Sequence, residues 1–86
     1  MTSLDTLKIG QKAIIKEIKI KDKAKKRHLL DMGLTKGTEV EVRKIAPTGD
    51  PVDIFLRDYE LFIRKEDLKQ ILVEVIDESS ISWKSK

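Results

Sequence analysis

The chain contains no cysteine, so no disulfide supports it and no thiolate is available to hold a metal. Its only histidine is His28, one imidazole where a transition-metal site of nitrogen and oxygen ligands commonly takes several. Two phenylalanines, one tyrosine and one tryptophan are too few, and too scattered, to build a platform of stacked bases. No apolar run approaches the ~18–20 residues of a membrane span. The opening MTSLDTLKIG has neither a basic lead nor an apolar centre, so no secretory leader is expected. Neither GxxxxGK[ST] nor GxGxxG occurs, which removes the common phosphate-cradling loops. No Ser/His/Asp or Cys/His set can be assembled, and the expectation is a non-enzyme. Together these absences predict one small, soluble, cytoplasmic domain. At 86 residues it buries roughly 60–65% of its unfolded surface and folds with little to spare.

With only four glycines and two prolines, each one marks a place where the chain must turn. Residues 13–21, AIIKEIKIK, are rich in β-branched side chains and predict a strand in which Ile14, Ile18 and Ile20 share one face. Leu4 and Leu7 ahead of it read as a short apolar plug in an N-terminal arm. Residues 22–32 predict a helix of about three turns, capped by Asp22. The segment HLLDMGLTKGT then carries two glycines. Gly33 fits the left-handed residue that ends a helix, with Leu34 folding back onto Leu29. Gly37 fits the third position of a type II turn, T-K-G-T. A strand follows over 39–46, where the apolar spacing slips after Val42 and predicts a bulge near Arg43 and Lys44. APTGDP is a hairpin loop.

The next hairpin is read with a two-residue turn at Asp58-Tyr59. Arg57 then faces Glu60, Leu56 faces Leu61, Phe55 faces Phe62, Ile54 faces Ile63 and Asp53 faces Arg64. One face is Ile/Leu; the other is an aromatic pair between opposite charges. RKEDLKQ (64–70) reads as a helical turn anchored by Leu68. ILVEVI is the closing strand, with Ile71, Val73 and Val75 inward. The polar remainder, 77–86, reads as a disordered tail after a 1–76 domain. The expected fold is mostly β: a small SH3-like barrel of about five strands, one short inserted α-helix and a helical turn before the last strand.

The segments LLDMGLTKGTEVEV, APTGDPVDIFLRDYELFIRKED and ILVEV, in that order and spacing, closely resemble the ferrous iron transport protein A (FeoA) family over nearly the whole chain. The barrel is also similar to the C-terminal domain of diphtheria-toxin-repressor-type regulators. Two positions depart from the family pattern: it commonly has Pro where Lys36 stands and Gly where Asp58 stands. Asp58 can accept the positive φ of a hairpin turn, less readily than Gly, and Lys36 is tolerable at the second position of its turn. The resemblance implies a small cytoplasmic accessory or adaptor protein of bacterial ferrous iron uptake. It implies as partner the FeoB permease, whose cytoplasmic region binds GTP.

The candidate residues are weighed against that background. His28 with Asp31 or Asp22 makes too few ligands, so no metal site and no cofactor are expected. The run Lys19–Arg27, KIKDKAKKR, holds six bases to one acid. It reads first as a solvated helix face, with docking to acidic headgroups or an acidic partner near the membrane as the functional reading. A nucleic-acid-binding small barrel is the competing class, and the lack of interleaved aromatics counts against it. The candidate partner surface is Phe55 and Phe62 with Arg57 and Glu60 as a charged rim. The helix-and-clasp residues Leu29, Leu30, Met32 and Leu34 form a second candidate. Trp83 reads as idle.

Overall fold

The computed structural model describes residues 1–76. The elements in chain order are β1 (Thr2–Ser3), a 3-10 turn (Leu4–Thr6), β2 (Lys12–Ile18), α1 (Lys23–Asp31), β3 (Glu39–Ile45), β4 (Val52–Leu56), β5 (Tyr59–Ile63), α2 (Lys65–Leu68) and β6 (Ile71–Ile76). The strands form one antiparallel sheet in the order β1-β6-β2-β3-β4-β5. The architecture is the expected SH3-like barrel with six strands rather than five. The extra one is the two-residue β1, which lies on β6 with Thr2 opposite Val73. The expected tail and Trp83 lie outside the described residues.

The core is a single cluster. Leu4 and Leu7 plug it from the N-terminal arm, Leu29 and Leu34 from the helix and its stop, and Leu68 from α2. Each fully buried leucine contributes roughly 1.5–3 kcal/mol relative to exposure. In β2 the inward set is Ala13, Ile15 and Ile18, followed by Ile20, while Ile14 is only half-buried. The pairing of β2 with β6 slips between Ile15 and Glu17, and this bulge exchanges the two faces of the strand. That is why the expected Ile14 face is wrong and its continuation through Ile18 and Ile20 is right. In β6, Ile71 and Val73 are buried as expected. Val75 is exposed: it pairs with Ala13 of β2, but the pairing with β1 stops at Val73 and leaves its other side open.

α1 starts as its sequence predicts. The Asp22 carboxylate accepts from the backbone N–H groups of Ala24 and Lys25 at 3.0 and 3.2 Å. It ends in a Schellman motif: Gly33 stands at φ +102°, its N–H donates to Leu30 C=O, and Leu34 N–H donates to Leu29 C=O, each at 3.0 Å. The T-K-G-T turn closes through Thr38 N–H to Thr35 C=O at 3.0 Å, with Gly37 at φ +93°. Lys36 at its second position is compatible with that turn. The turn is fixed to β2 by reciprocal bonds, Gly37 N–H to Ile15 C=O and Ile15 N–H to Thr38 C=O. The β3 bulge falls between Val42 and Lys44, as the apolar spacing predicts.

Candidate functional site

The β4–β5 hairpin has the predicted faces and a different register. Its turn is Arg57-Asp58, so Leu56 opposes Tyr59, Ile54 opposes Leu61 and Val52 opposes Ile63. A slip of two residues keeps every side chain on its own face. It does undo all five expected pairs. Phe55 opposes Glu60, and Phe62 opposes Asp53, so the two rings are diagonal neighbours, at the roughly 7–8 Å typical of that relation. The expected Arg57–Glu60 and Asp53–Arg64 pairs are absent from the ladder. Arg57, not Asp58, takes the positive φ, at +56°.

The outer face of β3, β4 and β5 therefore carries two cross-strand rows. One is Glu41, Phe55 and Glu60; the other is Lys44, Asp53 and Phe62. The β3 bulge swings Arg43 over Phe55, its guanidinium carbon 4.0 Å from the ring centroid, and Arg43 Nε is 3.5 Å from Glu41 Oε1. Phe55 is half-buried beneath that arginine, whereas Phe62 is 64% exposed. Asp53, expected at the surface, is 2% exposed, and neither carboxylate oxygen has a hydrogen-bond partner among the described residues. Burial pushes its carboxyl above the usual carboxylate range. The nearby Glu60 carboxylate pushes in the same direction, against the pull of Lys44 and Arg43.

The second candidate surface divides. Leu29 and Leu34 are core side chains and are removed from any partner surface; the helix-stop clasp that the sequence shows is itself what buries them. Leu30 is 37% exposed and Met32 half-buried, so these two remain. The hairpin tip meets the glycine that follows them. A Cβ on Gly33 would stand 2.7 Å from Tyr59 Oη and 3.2 Å from Arg57 Nε, so the helix stop and the tip are packed at glycine distance. Arg57 also lines a hollow of about 310 Å³ with Phe55 and Glu41, and another of about 430 Å³ with the 35–39 turn.

Sequence reasoning missed Tyr59, Arg43, Lys44 and Asp53. Tyr59 was lost to the misplaced turn. Only the bulge places Arg43 on Phe55, and Asp53 alternates like an outward charge.

His28 and Asp31 are exposed on α1. Among the described residues no three histidine, aspartate or glutamate side chains come together, and the Asp53–Glu60 neighbourhood supplies two carboxylates. No helix among them is long and apolar enough to cross a membrane.

Comparison with known proteins places this geometry. The profile of the FeoA domain matches residues 2–75. Over 79 residues, 92% of the chain, it is 34% identical to the Fe(2+) transport protein A/Fe(2+) transporter FeoB fusion protein of Porphyromonas gingivalis, of which it spans 9%. The solution structure of FeoA from Chlorobium tepidum superposes with a TM-score of 0.84 at 29% identity, covering 88% of this chain and 71% of that one. The FeoA-like protein of Clostridium acetobutylicum gives 0.79 at 37% identity, with 88% and 87% covered. The T. acidophilum IdeR shares the fold alone, at 19% identity and a TM-score of 0.77 over 87% of this chain and 34% of its own. With the domain profile spanning all but the ends of the chain, this protein belongs to the FeoA family.

Proposed function

We propose that the chain is a cytoplasmic, non-catalytic adaptor of bacterial ferrous iron uptake that binds the cytoplasmic region of a FeoB permease, without a cofactor of its own. The observation that carries this reading is the Porphyromonas gingivalis fusion, in which a related sequence shares one polypeptide with a ferrous iron transporter. A domain that works beside a transporter needs a face to meet it, and the outer face of the hairpin is suited to be that face. Phe62 is an exposed aromatic, Phe55 lies stacked under Arg43, and Glu60 and Arg57 stand at the margin. An aromatic centre with a charged rim is the usual anatomy of a binding patch. Met32, beside the helix stop that the hairpin tip meets, extends the surface.

Phe62 is the residue to truncate, because its exposure means that little core packing goes with it. Phe62→Ala is expected to weaken binding to the FeoB cytoplasmic region by roughly 10-fold or more, the effect of losing a central aromatic, with an unchanged circular dichroism spectrum. A folded Phe62→Ala variant that binds like the parent removes this face from the interface. A parent chain that does not bind the FeoB region at all removes the adaptor reading.

A further inference from the structure

The positive charge of the chain is concentrated. Residues 16–36 hold eight lysines and arginines against three acids, a local net charge of +5, while the rest of the chain holds ten against twelve. The fold brings five of these cations, Lys16, Lys23, Lys26, Arg27 and Lys36, around the end of β2, α1 and the turn before β3. α1 is seated by one buried side chain, Leu29; its other eight residues are exposed or half-buried. Two shallow hollows adjoin there. One, of about 450 Å³, is lined by Lys23, Lys26, Arg27, Leu30 and Asp31. The other, of about 310 Å³, runs from the same Lys26 and Leu30 to Lys36 and the end of β2.

Two of the cations are already engaged, Lys16 with Glu74 at 3.2 Å and Lys25 with Asp67 at 3.1 Å. The side chains of Lys23, Lys26, Arg27 and Lys36 make no ion pair or hydrogen bond among the described residues. Lys23 stands three residues from Lys26 and four from Arg27, spacings at which like charges destabilise a helix. A helix of nine residues is marginal already. Stability alone would have put an acid at one of those positions. The cations instead outnumber the two acids, Glu17 and Asp31, that line the hollows beside a part-exposed leucine.

We propose that this α1 face docks on anionic phospholipid headgroups at the membrane surface, holding the domain beside its permease. The proposal rests on the reading of the chain as a partner of a membrane transporter, but its test does not involve that transporter. Lysine-rich chemistry without Phe, Tyr or Trp favours a lipid surface. Three of these four cations are lysines, point charges that need no planar or bidentate acceptor. No Phe, Tyr or Trp lies on the helix to stack a base; His28 is its one aromatic ring. Leu30 gives an apolar contact at the centre of the charge. The two hollows share no residue with the Phe55–Phe62 face.

The test is co-sedimentation of the whole chain with phosphatidylcholine vesicles made with and without phosphatidylglycerol. Binding is expected only with phosphatidylglycerol and should fall as salt rises. Each cation near an anionic leaflet is worth about fivefold in partition. Lys26→Gln with Arg27→Gln should therefore weaken binding by about 20–30-fold. Lys8→Gln with Lys65→Gln removes the same charge elsewhere and should leave binding within about twofold of the parent. Phe62→Ala should bind vesicles like the parent, whatever it does to FeoB binding. The proposal is overturned if the parent ignores phosphatidylglycerol at low salt, if the two double variants weaken binding equally, or if a single-stranded oligonucleotide binds as tightly as the vesicles.

Discussion

Replacing Gly33 by alanine separates the two reasons for glycine at the helix stop. The backbone there stands at φ +102°, a region an L-residue enters at about 1–2 kcal/mol. Alanine also restricts the unfolded chain, which returns about 0.4–1 kcal/mol. The new methyl group would lie 2.7 Å from Tyr59 Oη and 3.2 Å from Arg57 Nε. Both atoms are at the ends of side chains that can swing away, so the contact is relieved by shifted torsions at about 0.5–1.5 kcal/mol. The balance is a loss of about 1–2 kcal/mol, which for a domain of this size lowers Tm by roughly 5–15 °C. Urea denaturation followed by circular dichroism measures it. Repeating Gly33→Ala in a Tyr59→Phe background isolates the contact, and the loss should be smaller there by about 0.5–1 kcal/mol. An unchanged midpoint in Gly33→Ala would refute the geometry of the stop. An equal loss in both backgrounds would leave the backbone argument standing and refute the packing of the hairpin tip on it.

The Asp53 carboxyl is raised above its ordinary value of 3.8 by burial and by Glu60. Its contribution to stability is therefore complete below that value and is lost as pH rises through the folded-state pKa. Asp53→Asn should flatten that decline, so that the variant gains on the parent as pH rises toward neutral; a difference between variant and parent that stays constant with pH would contradict it. Anaerobic calorimetry of the chain with Fe²⁺ should show no stoichiometric binding at micromolar affinity, and such binding abolished by His28→Ala would show that a site had been missed.

Local punctuation was the most legible part of the sequence. Asp22, Gly33, Leu34 and Gly37 each specify a hydrogen bond or a backbone angle within a few residues, and each is found where expected. The hairpin register was not legible in the same way. Moving the turn from Asp58-Tyr59 to Arg57-Asp58 shifts the pairing by two, and a shift of two leaves the alternation of apolar residues untouched. Only the turn distinguishes the two registers, and here an arginine takes the positive φ that residue preference assigns elsewhere. The β2 bulge was hidden for a related reason. Ile14 and Ile15 are both apolar, so the sequence does not say which faces inward. Asp53 was hidden because a charge on the outward parity of a strand ordinarily meets water. Its burial arises from what three strands and a bulge bring around it, which is tertiary information.

The same misplaced turn concealed how the candidate surfaces relate. With the tip at Asp58-Tyr59, the hairpin and the helix stop are separate features of the chain. With the tip at Arg57-Asp58, Tyr59 pairs with Leu56 and its hydroxyl lies over Gly33. The glycine is then required twice, for its angle and for its lack of a side chain, and the second requirement comes from residues more than twenty positions away. That junction bears on α1 more than on the sheet. α1 has Leu29 in the core, an N-terminal cap, a Schellman stop and the Lys25–Asp67 pair to α2, and little else to hold it. The sheet keeps its own buried side chains from every strand from β2 to β6. A change at Gly33 should therefore disturb the basic helix face before it disturbs the Phe55–Phe62 face, because locally held elements open at lower free energy than the core. Binding to a lipid surface and binding to a permease would then respond separately to substitutions that both lie within one small domain.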